Sequence, residues 1–275
     1  MSEADREYVL GTGSDELARL GFQHRLWSDA AHALWRLVGI RPGYRVLDVG
    51  CGPGYASFDL AQFVGPTGQV VGVDESKGFV ANVCEQARTR SLPQLKAVVG
   101  DVQNLPGAGL ELGSFNMAYA RWVLCFLPDP AACVAGVAHH LRPGGKFCVH
   151  DYFNYETMTL APRRESYVRV VRATGSSWRK AGGDPDIVGR LPELVRAAGL
   201  RVTHLTVHQR IARPWESMWY WADTWWRVFA PKLVAMGELT QGEADEFFRD
   251  VDAAAASPDT FLVLPPVYEL VAEKP

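Results

Sequence analysis

The 275-residue sequence predicts an α/β fold, a single doubly wound, mostly parallel seven-stranded sheet with helical insertions covering its active-site edge. Three observations carry that prediction. From residue 41 to about 152, short β-branched runs alternate with apolar residues at helical spacing, as strands joined by crossover helices do. The run VLDVGCGPGY, 46–55, passes from a strand pattern into a glycine-rich turn. Two stretches, 153–185 and 210–260, break the alternation, and each follows the C-terminal end of a strand, where open α/β sheets bind ligands.

Taken in order, residues 1–40 form an N-terminal helical segment. Its helix, at about 29–39, runs antiparallel to the first strand, so residues 1–28 begin at the ligand edge and act as a lid. The core, 41–152, holds strands at 45–49, 69–73, 96–99, 115–120 and 146–151, with helices in FDLAQFV, GFVANVCEQA and AACVAGVAHHL. The turn LRPGG, 141–145, stops the fourth helix at Pro143 and Gly144. After the insertion 153–185, the core continues over 186–209 with a helix at 186–198, Gly199 as its stop, and a strand at 202–209. An aromatic helical insertion, 210–260, caps the substrate side, and 261–275 carries the final strand at 267–273.

Composition excludes several classes of function. The formal charge is −3, and no Lys/Arg cluster is longer than the pair Arg163 and Arg164, so the footprint of a nucleic-acid binder is missing. No apolar run is long enough for a membrane span. The opening MSEADREYVLGTG is acidic and polar, unlike a secretory signal, and the expectation is a cytoplasmic protein, monomeric or homodimeric. Cys51, Cys84, Cys125, Cys133 and Cys148 include no CxxC pair and no Cys/His cluster at zinc spacing, so neither a disulfide nor a metal is expected.

Gly50, Gly52 and Gly54 let backbone approach a ligand closely, but the spacing alone suits dinucleotides, phosphates and adenosyl groups alike. Two carboxylates narrow the choice. Asp74, in VVGVDES at the end of the second strand, can accept hydrogen bonds from both hydroxyls of a ribose. Asp101, in VVGDVQNLP after the third strand, can take the exocyclic amine of adenine.

With these motifs the chain resembles the class I S-adenosylmethionine-dependent methyltransferases, and their Rossmann-like fold is implied for it. VLDVGCGPG, VVGVDES, GDVQNLP, FNMAYARWVLCFLPDP and LRPGG match that family's motifs over about 41–152. The opening YVLGTGSDELARLGFQHRLW is similar to the leader of the ubiquinone and menaquinone biosynthesis type and its natural-product relatives. The resemblance implies S-adenosyl-L-methionine as cofactor, with Asp74 and its neighbour Glu75 at the ribose and Asp101 and the Val102 N–H at the adenine. It places Gly50 and Gly52 beside the cofactor, Asp48 either orienting the loop or meeting the methionine ammonium, and Ala120 and Arg121 beside the methionine moiety with the arginine near the carboxylate or in the substrate cavity, while Tyr8 and Gln23 close over the methionine part.

Methyl transfer from a sulfonium needs alignment and exclusion of water, and a base only if the acceptor arrives protonated. His150, with Asp151 and Tyr152 at the end of the fifth strand, is the candidate base; the alternative is a packed strand histidine. His139 and His140 close the fourth helix, His24 lies in the lid, and His204 and His208 have no polar partner in view. Asp59 reads as a solvated helix position and Asp129 as a helix cap. Helical spacing puts Trp215, Trp219 and Trp226 roughly on one face, either as packing or as a pocket wall. Trp122, Tyr152, Trp215 and Trp219 are the candidate acceptor contacts.

The expected activity is methylation, at O, N or C, of a small apolar or aromatic metabolite such as a natural product or quinone. A cofactor-binding protein that transfers nothing, either a ligand sensor or a cyclase, is the alternative. A nicotinamide-dependent oxidoreductase fits the GxGxG spacing poorly. Nucleic-acid methylation is disfavoured because LPPVY, 264–268, has the wrong residue before its prolines.

Overall fold

A computed structural model describes residues 13–275, so Tyr8 lies outside the described residues. The chain enters through one continuous helix, α1 (Ser14–Leu37), where a lid followed by a shorter helix is expected. Gly21 sits inside α1 and packs against Tyr55: a Cβ there would lie 3.0 Å from the Tyr55 Oη. Asp15 and Glu16 in the first turn and Arg36 in the last complement the helix dipole.

The core then alternates as the periodicity predicts: β1 (Arg45–Val49), α2 (Tyr55–Val64), β2 (Gln69–Asp74), α3 (Lys77–Thr89), β3 (Leu95–Val99), β4 (Phe115–Arg121), α4 (Pro130–His140) and β5 (Leu141–Tyr152). Caps mark the helix starts. Ser76 accepts from the Phe79 N–H, and Asp129 accepts from the Ala132 N–H with Pro130 behind it, the capping role expected of Asp129. LRPGG belongs to β5: Leu141 pairs with Phe115, the register shifts, and pairing resumes at Lys146 with Met117.

The first insertion holds β6 (Thr159–Ala161) and α5 (Glu165–Lys180). The helix expected at 186–198 is divided, because Pro192 starts a new one: a 3-10 turn, Ile187–Gly189, precedes α6 (Leu191–Ala197). Next come β7 (Arg201–His208), β8 (Ile211–Ala212), α7 (Ser217–Ala235), α8 (Gln241–Ala255), β9 (Phe261–Val263) and β10 (Val267–Glu273). The two insertions form one cap, since β6 and β8 both pair with β9 in a small second sheet and Trp226 Nε1 donates to Tyr167 Oη at 3.1 Å.

The main sheet has the order β3-β2-β1-β4-β5-β10-β7, with only β10 antiparallel to its neighbours. Strand order reverses between β1 and β4, and the crevice at such a switch point is where ligands bind. Alternation along the strands divides the core by face. Leu47, Val49, Ala118, Ala120, Phe147 and Val149 enter one apolar cluster, and Val46, Tyr119 and Cys148 enter the other, with Leu34 and Trp35 of α1. By the same period Asp48 and His150 face α1, and Asp151 points the other way. Among the described residues no helix is long and apolar enough to cross a membrane, and all five cysteines are free.

Candidate cofactor and acceptor site

The loop after β1 uses its three glycines differently, although all three adopt left-handed backbone. A Cβ at Gly50 would stand 2.6 Å from a Val123 methyl, and one at Gly54 would stand 2.5 Å from a Val83 methyl, so both are packed against protein. At Gly52 a Cβ would meet nothing within 4 Å. Gly52 therefore holds an open cradle beside the ends of β1 and β2.

Carboxylates border that cradle. Asp74 accepts from the N–H of Gly52 at 2.8 Å and of Ser76 at 2.9 Å, binding the two loops to each other. Burial raises its pKa, against the pull of those two N–H groups. A carboxylate has about four acceptor sites, so room for ribose hydroxyls is left. Glu75, beside it, is exposed. Asp101 is exposed at the start of a 3-10 helix, Val102–Ala108, and accepts from the Gln103 N–H at 2.8 Å, while Val102 is buried. Asp48 is buried under the loop with Ser57 donating to it at 2.5 Å, and burial pushes its carboxyl up to about 6.

The opposite wall centres on Arg121, which follows the buried Ala120 at the end of β4. Its Nη2 lies 2.9 Å from His24 Nδ1, while its Nη1 is buried without a hydrogen-bond partner among the described residues. His24 Nε2 in turn lies 3.0 Å from Asp59 Oδ2, which also meets His32 Nε2 at 2.7 Å. Asp59 is thus a half-buried anchor for two lid histidines, correcting its reading as a solvated position. Gln23 is close by, but its side-chain oxygen accepts from the Trp221 indole at 2.9 Å.

Beside Arg121, Trp122 adopts φ +53, a left-handed conformation rare for a bulky side chain and costing on the order of 1–3 kcal/mol. Its ring stacks on Trp221 and Tyr152, at 5.8 and 6.2 Å between centroids, and meets Trp27 edge-on at 5.6 Å. The Trp122 indole N–H is buried with no partner among the described residues. A strained aromatic with an unspent donor, next to an arginine with an unspent donor, marks where a ligand belongs.

The tryptophan stripe expected of the cap is only partly present. Trp215 precedes α7, is 57% exposed and lies under the Arg213 guanidinium, so it does not share a face with the others. Trp219 and Trp226 are buried with Leu160, Tyr167, Val251 and Leu262 inside the cap, and Trp219 packs the cap's own interior. Trp221, on another face of the same helix, reaches the Arg121 side; its place in WYWADTWW was the available signal.

His150 and Asp151 are not placed as a base and its partner. His150 is 2% exposed, with Nδ1 3.1 Å from Tyr119 Oη and Nε2 2.9 Å from Glu269 Oε2, and burial lowers its pKa. Asp151 is fully buried on the opposite face of the sheet, accepting from the N–H groups of Cys125 and Tyr152. Both side chains are committed to protein partners, which corrects the strand-end reading. His204 and His208 also have a polar partner after all: their Nε2 atoms lie 2.8 and 3.1 Å from the two oxygens of Glu269.

A Rossmann-like sheet with this strand order, a glycine cradle at its switch point and acidic residues ending β2 and following β3 defines the class I S-adenosylmethionine-dependent methyltransferases. A model of the methyltransferase domain family matches residues 40–180, and the chain belongs to that family. Among known proteins it is similar to a trans-aconitate 2-methyltransferase of Deinococcus radiodurans, 34% identical over 146 residues, which are 50% of this chain and 52% of that protein. It is also similar to a nocamycin O-methyltransferase of Saccharothrix syringae, 37% identical over 116 residues, 42% of this chain and 40% of that one. The chain spans about half or less of the length of these curated relatives. The crystal structure of the [4+2]-cyclase SpnF shares the fold, with a TM-score of 0.54 and 24% identity, over 90% of this chain and 83% of that one. The cofactor of the class is S-adenosyl-L-methionine, and the residues present fit it: Gly52 leaves the cradle open, and Arg121 Nη1 is a buried donor without an acceptor.

Proposed function

We propose that this chain transfers the methyl group of S-adenosyl-L-methionine to a small metabolite with an apolar or aromatic body. The single observation that carries the reading is the juxtaposition at the end of β4. Arg121, with its unpaired Nη1, borders the open cradle, and Trp122, strained and with its own unpaired donor, begins an aromatic wall beside it. In this reading Asp74, with Glu75 beside it, binds the ribose, and Asp101 with the Val102 N–H binds the adenine. Arg121 takes the carboxylate of the methionine part, Asp48 faces its ammonium, and Gln23 helps to cover it.

When bound, the cofactor supplies a methyl group on a positively charged sulfur, poised for in-line displacement by the acceptor. The chain's own residues align and desolvate. Trp122, Tyr152 and Trp221 form an apolar wall that excludes water and orients a flat acceptor. His150 and Asp151 hold strand β5 in position and take no proton, so acceptors that ionise readily or are nucleophilic when neutral fit best. The relatives' names point to chemically different acceptors, and the aromatic wall supports an apolar or aromatic one here. The net charge of −3 supports a metabolite over a nucleic acid.

The test is calorimetric titration with S-adenosyl-L-methionine, followed by a panel of phenolic, amine and carbon acceptors with S-adenosylhomocysteine as readout. Saturable binding with product formation on aromatic acceptors supports the proposal. No binding at millimolar cofactor overturns the cofactor site; tight binding without S-adenosylhomocysteine across the panel overturns transfer and leaves a protein that holds the cofactor for another purpose.

A further inference from the structure

Glu269 is 5% exposed, and among the described residues its ion-pair partners are histidines alone: His150 and His208 on Oε2, at 2.9 and 3.1 Å, and His204 on Oε1, at 2.8 Å. A buried carboxylate normally draws a guanidinium or ammonium, because an uncompensated charge is expensive to desolvate. Three imidazoles converge on Glu269 through Nε2 from the two strands that flank β10, His150 from β5 and His204 and His208 from β7.

We propose that His150 Nε2, His208 Nε2 and one Glu269 oxygen bind a single Zn²⁺-class divalent ion that clasps β5, β10 and β7. The three ligand atoms already lie within 4.8 Å of one another. Two imidazoles and one carboxylate are a donor set for zinc and neighbouring transition metals, in contrast to the all-oxygen sets of magnesium and calcium. Zinc bonds of about 2.0–2.1 Å in tetrahedral geometry place ligand atoms about 3.4 Å apart, so each of the two imidazoles must draw back from the Glu269 oxygen, now 2.9 and 3.1 Å away, by a few tenths of an ångström. His208 can give that way: β7 is the edge strand, and the His208 side chain is 28% exposed, which also provides the ion's entry.

The groups behind the ligands are in place as well. Metal-bound histidines are oriented through their other ring nitrogen, and metal-bound carboxylates through their second oxygen. His150 Nδ1 meets Tyr119 Oη, and Glu269 Oε1 meets His204. Binding needs Nε2 of both His150 and His208 as lone pairs, so each ring carries its proton on Nδ1, and that of His150 is donated to the Tyr119 hydroxyl oxygen. Solvent supplies the fourth position from the His208 side. The ion would be structural, and it would be sensed at the cofactor site because His150 is the β5 neighbour of Arg121 and its carbonyl accepts from the Trp122 N–H at 2.9 Å.

The full chain, stripped with a chelator, is titrated with Zn²⁺ by chelator-competition calorimetry. Stoichiometry is read by elemental analysis and folding by thermal denaturation. About one equivalent is expected, with a raised Tm. His208→Ala should bind at least about tenfold more weakly and lose the Tm rise, and Tyr119→Phe and His204→Ala should each weaken binding by about tenfold or more. His139→Ala, on an exposed helix end, should change nothing. Co²⁺ should replace Zn²⁺ with visible absorption that His208→Ala abolishes. Because Glu269→Gln can fail to fold, the half-exposed His208 is the deciding position. Substoichiometric zinc in the wild type, equal affinity in His208→Ala, or preference for Mg²⁺ would overturn the site and leave a hydrogen-bonded cluster. None of these readouts depends on methyl transfer.

Discussion

Arg121 donates from Nη2 to Nδ1 of His24 at 2.9 Å, and this contact sets the state of the imidazole. A guanidinium only donates, so Nδ1 must carry the lone pair, and the proton sits on Nε2, directed at Asp59 Oδ2 3.0 Å away. Burial lowers the His24 pKa, in keeping with a neutral ring. The chain Asp59–His24–Arg121 thus aims the arginine from α2 through the lid helix.

His24→Ala should leave a buried guanidinium N–H unpaired, a loss of about 1–3 kcal/mol in folding stability, and should weaken cofactor binding by about tenfold. Asp59→Asn retains an acceptor and should lose less on both counts. Denaturant titration and calorimetry on the two variants check the order; cofactor affinity unchanged in folded His24→Ala would separate Arg121 from the cofactor.

The glycine loop offers a matched pair. At Gly50 an alanine combines left-handed backbone with a Cβ 2.6 Å from Val123, so Gly50→Ala should be destabilised by at least about 2 kcal/mol. Gly52→Ala has the same backbone strain and no steric neighbour, so its stability loss should be about 1 kcal/mol while cofactor affinity falls at least about tenfold. Comparing Tm and Kd for both resolves packing from ligand approach.

Asp74→Ala removes the acceptor for Gly52 and Ser76 along with the proposed ribose contact. Cofactor affinity should fall by about tenfold to a hundredfold, as charge-assisted hydrogen bonds are worth about 1.5–3 kcal/mol. Calorimetry on the folded variant checks it, and wild-type affinity would remove Asp74 from the ribose site.

Asp48 predicts a pH dependence. Its carboxyl titrates near 6 in the folded chain against 3.8 as the ordinary value, so the folded state holds that proton more tightly. The stability it contributes is intact below about pH 4 and is lost as pH rises through about 6, a change of about 3 kcal/mol at 1.36 kcal/mol per pKa unit. Asp48→Asn should remove that part of the slope, measured as the wild-type-minus-variant difference in denaturation free energy across this range. Facing the cofactor's ammonium, an ionised Asp48 is favoured, so cofactor affinity should rise with pH through about 6 in wild type and stay flat in the variant.

Local pattern carried the fold because each strand and crossover helix of 41–152 has its own period and its own stop, and β1 and β10 fall at their expected bounds. The cradle was legible for the same reason: Gly50, Gly52 and Gly54 fall within five residues, and Asp74 sits one and Asp101 two residues past a strand pattern. The lid was less so: α1 runs unbroken from Ser14, where the expected helix begins at about 29.

What the sequence by itself determined is the sheet, its switch point and the residue types that line it, all of them set by period-two and helical spacing within a few residues. Only the tertiary structure decided which distant side chains meet: His24 with Asp59 and with Arg121, Trp122 against Trp221, and Glu269 with His150, 119 positions earlier. Those partners come together through strand order and register, where β10 is inserted between β5 and β7, and no spacing along the chain encodes that insertion. A buried charge takes the partners that packing brings to it, so its neighbours become known when the sheet is assembled.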